Sequence, residues 1–162
     1  MRTRIWFIAL VLLGLAGASL TANPATTGAL AGPANRIVGL WSTVGNVGPC
    51  GGPPTITVRN TLLFHAGGTL FENFAVPPAS IANRNYGLGT WSYNPATRWH
   101  RLHLRFDRFE NGAHVGYSTV DRTLLLNDDA TEITGEVVAT GYAPDGTITS
   151  QLCGEATSVR LR

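Results

Sequence analysis

Ile37-Val38-Gly39-Leu40-Trp41-Ser42-Thr43-Val44 is the stretch on which the fold turns. It is short, apolar and partly β-branched. It follows an Ala/Thr/Gly/Pro segment without periodicity and precedes a Gly/Pro loop, so it reads as a first β-strand. Cys50 lies just beyond it, and Cys153 lies in the last strand-like segment of the chain. A bridge between them would bring the last strand back beside the first. In an antiparallel pair one residue number rises as the other falls. Cys50 beside Cys153 therefore sets Trp41 opposite Arg162, or opposite Arg160 if the loop takes up two residues. That return distinguishes a closed barrel from an open sheet with two exposed edges.

Outward from this strand, turn signals separate seven more. In 56–64, Ile56, Val58, Leu62 and Phe64 share one alternating face, interrupted by Asn60. Ala66-Gly67-Gly68 turns the chain into a strand at 69–76. Residues 77–85, opened by Pro77-Pro78, form the longest irregular segment and read as a loop able to cover a barrel mouth. A fourth strand, 86–93, carries Gly87, Gly89 and Trp91 on one face, the pattern of a bend or a close backbone approach. Strand 98–109 alternates Leu102, Leu104 and Phe106 against Arg101, His103, Arg105 and Asp107. Asn111-Gly112 is a hairpin signal leading to 114–126. Asn127-Asp128-Asp129 and Ala143-Pro144-Asp145-Gly146 are the turns before 131–142 and 147–161.

Eight strands in meander order, with no sustained helical period, predict an all-β fold: an eight-stranded antiparallel up-and-down barrel closed by its first and last strands. A sandwich, the main competitor, needs longer crossovers. At Asn111-Gly112 a two-residue loop would set Arg101 opposite Arg122, a repulsive pair. A three-residue loop with Gly112 in a bulge sets Arg101 opposite Asp121, and Leu102 and Leu104 opposite Val120 and Ser118. The second register predicts a mainly apolar interior and turns Tyr117, Thr119 and Asp121 to solvent. Its inward set is Trp41 or Leu40, Ile56, Val58, Leu62, Phe64, Phe74, Trp91, Leu102, Leu104, Phe106, Val120, Leu124, Ile133, Val137 and Ile148. Gly89, Gly116, Gly135 and Ala139 leave space among them.

Gly39-Leu40-Trp41 resembles the opening motif of the lipocalins and related calycin barrels. The resemblance covers 37–162 in layout. It implies that Trp41 packs at a closed end beneath an Arg from the end of the barrel, Arg160 or Arg162 here, as a cation–π cover. The Thr-Asp-Tyr segment of the lipocalin middle hairpin is absent, and no helix precedes the final strand. A second Gly-x-Trp, Gly89-Thr90-Trp91, is similar to an avidin-type element without the rest of that family's tryptophan pattern.

The first residues read as an export signal. Arg2 and Arg4 precede the apolar run 5–16, and Ala16-Gly17-Ala18 or Leu20-Thr21-Ala22 offers a cleavage site. The domains expected are thus a signal peptide over 1–22, a flexible arm over 23–35 and one barrel domain over 36–162. The run is short for a membrane span, so no integral span is expected after cleavage, the alternative being an uncleaved anchor. All twelve basic residues are Arg, and two lie in the leader; the remaining ten balance ten acids. That neutrality points away from nucleic acid and anionic membrane surfaces. Arg without Lys, among many Ala, Gly and Pro, fits a GC-rich bacterial genome. Export implies an oxidising compartment, secreted or periplasmic, where the two cysteines form one disulfide. Neither Cys has a neighbouring His or a C-x-x-C partner, which weighs against two free thiols. Closing so long a loop would restrict the unfolded chain by about 4–5 kcal/mol in entropy terms.

No catalytic constellation is visible. The four histidines, His65, His100, His103 and His114, include no ligand pair, since His100 and His103 point to opposite faces, and they are expected at the surface or the barrel mouth. No metal site or cofactor is expected. A His100–Asp121 pairing would need the disfavoured register. Three functions follow. The first is a barrel binding a small hydrophobic or amphipathic ligand, with Phe64, Phe74, Tyr86, Trp91, Leu104 and Phe106 as contacts. The second is a structural or protein-interaction barrel with a filled core. The third is an isomerase- or cyclase-type enzyme, which requires a buried ionisable pair in the lumen.

Overall fold

The computed structural model of the chain describes residues 32–74 and 83–162. The expected signal peptide, most of the arm, the last two residues of the expected strand 69–76 and residues 77–82 of the expected covering loop lie outside the described residues. The strands are β1 (Gly39–Pro49), β2 (Ile56–Phe64), β3 (Thr69–Phe74), β4 (Gly87–Asn94), β5 (Trp99–Glu110), β6 (Ala113–Leu126), β7 (Glu132–Tyr142) and β8 (Ile148–Arg160). Each pairs antiparallel with its neighbours in chain order, and β8 pairs with β1, so the sheet closes as an up-and-down barrel. This layout is compatible with a lipocalin-like barrel. Among the described residues no helix is long and apolar enough to cross a membrane.

The seam closes as the cysteines require. Cys50 and Cys153 are bonded, with their Cα atoms 4.8 Å apart. Gly48 pairs with Cys153 and Trp41 with Arg160, so the loop takes up two residues and Arg160, not Arg162, faces Trp41. The Arg160 guanidinium carbon lies 4.3 Å from the Trp41 ring centroid. Its nitrogens donate to the carbonyls of Ala130 (2.6 Å), Val38 (2.9 Å) and Arg36. Arg162 lies beyond β8 and is exposed.

The chain enters the barrel through a short 3-10 helix, Pro33–Ile37. The end of the expected flexible arm is therefore structured. Ile37 is fully buried and accepts a 2.8 Å hydrogen bond from Trp41 Nε1. Together with Leu62, Phe64, Leu70, Trp91, Leu102, Leu104, Leu124 and Ile133, these two residues fill one end of the barrel with a continuous apolar core.

His100 belongs to this closed end, which corrects the surface placement expected of it. It is 1% exposed, packs against the rings of Trp91 and Tyr93, and its Nε2–H donates to the Ala34 carbonyl at 3.0 Å. The same alternation that buries Leu102 and Leu104 puts His100 inside; the helical turn over 33–37 then roofs it. Burial lowers its pKa below the ordinary imidazole value, and the hydrogen bond to Ala34 offsets part of that. An unfolded chain then binds this proton more readily than the folded one. Stability is accordingly expected to be level above pH about 6.5 and to fall as the pH drops through the depressed folded value. His100→Gln, which keeps a side-chain donor, should lose that component. Melting temperatures of both proteins from pH 8 to 5 check this; parallel curves would refute it.

The β5–β6 register differs from the expected one. Glu110 pairs with Ala113, so Asn111-Gly112 is a two-residue turn with positive φ at both positions (49° and 79°). The register then shifts between Arg108 and Phe109, where β6 carries one extra residue. The shift is made beside Gly116, at φ +133°, where a Cβ would lie 2.0 Å from the Tyr142 carbonyl oxygen. Beyond it Leu104 pairs with Val120, Leu102 with Arg122, His103 with Asp121 and Arg101 with Thr123. The pairing sits two residues from the expected one, so the expected faces survive, with Tyr117, Thr119 and Asp121 outward, but Arg101 does not meet Asp121. Of Trp41 and Leu40, Trp41 is the inward one; Ile56 and Ile148, expected as inward candidates, are exposed. Gly89 makes the close approach read from its strand: a Cβ there would lie 2.2 Å from the His103 carbonyl oxygen.

Candidate functional site

The main apolar core fills one end of the barrel, and a smaller cluster of Val47, Val137 and Ala156, with Val58, Val120 and Leu152 packed against it, lies beyond it. Towards the Cys50 end lies an interior cavity of about 230 Å³. Its apolar wall comes from Val47, Val58, Phe74, Phe106, Val120, Val137 and Leu152, and small residues such as Gly45, Gly141 and Ala139 leave the space open.

Between that wall and the closed-end core runs a polar layer, which the expectation of a mainly apolar interior did not include. Thr43 is one inward step along β1 from Trp41, Asn60 one step along β2 from Leu62, Glu72 one step along β3 from Leu70, and Arg122 one step along β6 from Leu124. Glu72 is 3% exposed. One of its carboxylate oxygens accepts from Asn60 Nδ2 at 2.6 Å; the other accepts from Arg84 Nη2 in an ion pair. Arg84 is held from both sides. Its guanidinium carbon lies 3.4 Å from the Phe106 ring centroid and 4.5 Å from that of Phe74. Its backbone is bridged to Arg108 on β5, flanked by hydrogen bonds from Phe109 N to Asn83 O (2.8 Å) and from Asn85 N to Asp107 O (3.2 Å).

Arg122 is the second buried cation. It is 6% exposed, and its Nη atoms donate to Ala156 O at 3.2 Å and Ser158 Oγ at 3.4 Å, both long for a charged donor. Ser158 Oγ also shares a 2.7 Å hydrogen bond with Thr43 Oγ1. The Arg122 Nε–H has no partner among the described residues. Burial pushes its pKa down to about 10, opposed in part by the Glu72 charge, so Arg122 stays cationic at neutral pH. Burial likewise lowers the pKa of Arg84, against the pull of Glu72. Among the described residues the lining of the cavity thus holds two guanidiniums and one carboxylate.

The six aromatic and aliphatic contacts expected from the sequence separate into three groups. Phe74 and Phe106 line the cavity. Phe64, Trp91 and Leu104 are in the closed-end core, where Phe64 and Trp91 meet edge to face at 6.3 Å and Trp91 Nε1 donates to His65 O. Tyr86 is 60% exposed and packs on Phe71 outside the lumen. Glu72, Arg84 and Arg122 were missed. Their signal was available: Glu72 falls on the same alternating face as Leu70 and Phe74, and Arg122 on the face of Val120 and Leu124. Asn60, the interruption noticed in β2, is the fourth member.

On the outer wall Asp121 pairs with His103 at 2.8 Å rather than with His100, and both groups are more than half exposed. Among the described residues no cluster of three or more His, Cys, Asp or Glu is placed to hold a metal ion.

In comparison with known proteins, no family model matches the chain, and no curated protein matches it. What fold and site define together is a structural class: a closed eight-stranded barrel, capped at one end, with a charged layer beneath an interior cavity.

Proposed function

We propose that the protein is an exported barrel that binds a small hydrophobic or amphipathic ligand inside the cavity. The observation that carries this reading is the cavity itself, an apolar-walled void above a fully packed end. A folded chain does not gain stability from such a void, because its lining atoms forgo packing contacts. The alternative of a filled structural barrel fits that observation less well. At about 230 Å³ the void lies just below the usual range of small-molecule sites, about 300–1,000 Å³. The ligand is therefore small, or projects at the mouth. Burying about 200 Å² of apolar ligand surface contributes about 5 kcal/mol before association costs, which suits micromolar affinity. Phe74 and Phe106 are the aromatic contacts. The leader-like residues 1–22 and the Cys50–Cys153 bridge support a secreted or periplasmic location.

Native mass spectrometry of the purified protein is the test. A mass increment removed by organic extraction, together with displacement of an environment-sensitive dye by the extract, is the expected result. Dye displacement is the better optical signal, since Trp41 and Trp91 sit in the closed-end core, away from the cavity. No increment, and no displacement by any member of a lipid and fatty-acid panel, would refute the reading. A second reading is favoured by one observation: the Glu72–Arg84 pair is the buried ionisable pair that a barrel isomerase or cyclase requires. It predicts that the bound molecule is returned with unchanged mass but altered chromatographic retention.

A further inference from the structure

We infer that the ligand is a monocarboxylate with an apolar body, its head group seated on Arg122 and its body directed towards the barrel mouth. This rests on the binding reading above and names the ligand's chemistry.

The inference starts from the charge count in the lumen. Glu72 is the one carboxylate lining the cavity among the described residues, and it is already committed to Arg84 and Asn60. Arg122 faces the same space without an ion-pair partner among the described residues. Its two existing hydrogen bonds are long and go to neutral oxygens, and its Nε–H is unused. A buried guanidinium left in this state costs stability unless something compensates it. One negative charge balances the charges of the described cavity lining, which favours a monoanion over a phosphate dianion. The planar fork of a guanidinium matches the two oxygens of a carboxylate. Thr43, which lines the cavity and is hydrogen-bonded to Ser158 beside Arg122, adds a hydroxyl that can reorient as a donor.

The layering sets the direction. Beyond the polar layer, away from the closed core, the wall is Val47, Val58, Phe106, Val120 and Leu152. An amphiphile entering head first would place its anion at the cation and its chain along these side chains. A purely apolar ligand would leave Arg122 uncompensated. A hydrophilic dianion would waste the apolar wall and carry one charge too many.

Isothermal titration of the purified protein with octanoate and decanoate, set against 1-octanol and 1-decanol, tests this. The carboxylates are expected to bind about 10–100-fold more tightly than the alcohols of equal length, the range for a hydrogen bond to a charged partner. In Arg122→Met that preference should collapse to within a few-fold, with alcohol binding retained. The wild-type ratio does not depend on the variant, so the inference stays falsifiable if Arg122→Met does not fold. Equal binding of acids and alcohols by the wild type would overturn the anion assignment and leave the cavity reading standing. A preference that survives in a folded Arg122→Met would overturn the role of Arg122. No binding of either series would count against both.

Discussion

Trp41→Ala is expected to cost about 3–5 kcal/mol of folding stability, the range for removing a large buried aromatic side chain. Three features concentrate the loss at this residue. The ring is fully buried in the closed-end core. Its Nε1–H satisfies the Ile37 carbonyl, which ends the helical turn roofing the barrel. Its outer face carries Arg160, whose nitrogens reach Ala130, Val38 and Arg36. One side chain therefore joins β1, β8, the entry turn and the turn before β7. Truncation opens a cavity, leaves a buried carbonyl without its donor, and removes the face on which the guanidinium rests. Trp41→Phe refills most of the volume but not the hydrogen bond, so it should lose about 1–3 kcal/mol. Urea unfolding checks both, with the midpoint moving and the slope unchanged. A loss below about 1 kcal/mol for Trp41→Ala would mean that the closed end is held by the remaining core and the bridge, and that Trp41 is not its keystone.

The same end of the molecule shows how much was legible in the sequence. Alternation of apolar residues, bounded by Gly, Asn, Asp and Pro, located the eight strands closely, because turn chemistry is local and acts on neighbouring residues. The pairing of Trp41 with an arginine of the last strand was also legible, since one disulfide and antiparallel geometry leave little freedom; only the two residues absorbed by the loop separated Arg160 from Arg162. The β5–β6 register was harder. It depends on where an extra residue is accommodated, and that is decided by the close approach of Gly116 to Tyr142 in β7, a contact no local pattern encodes. The polar layer was hidden for a related reason. Burying one charged group on an apolar face is prohibitive, so a charged residue reads as outward unless its partner is known. Here the partners come from β3, from the segment before β4 and from β6. The alternation that placed Leu124 inward also placed Arg122 inward, and that placed Leu102 inward also placed His100; what could not be read was the environment that makes those placements tolerable.

Glu72 makes the charged layer tolerable, and its replacement is the second large effect expected. Glu72→Gln keeps the shape and the hydrogen-bonding capacity towards Asn60, but it leaves the partly buried Arg84 and the buried Arg122 with no countercharge among the described lining of the cavity. Breaking a buried pair from one side typically costs about 3–5 kcal/mol, because the surviving charge stays desolvated. Arg84 is in addition held between Phe74 and Phe106, so it cannot leave for water without giving up both ring contacts. Removing the second partner as well should be far milder: in Glu72→Gln with Arg84→Met the neutral pair fills similar space, and most of the lost stability should return. The two single variants and the double, compared by denaturant unfolding, form a cycle whose coupling should exceed 1 kcal/mol. If Glu72→Gln instead loses under about 1 kcal/mol and the coupling vanishes, water already reaches the pair and the lumen is wetter than its apolar wall implies. If the coupling is as large as expected, the ion-pair contact of Glu72 is spent on Arg84, and Arg122 feels its charge only at a distance. Arg122 is then left as the charge that an incoming carboxylate can meet.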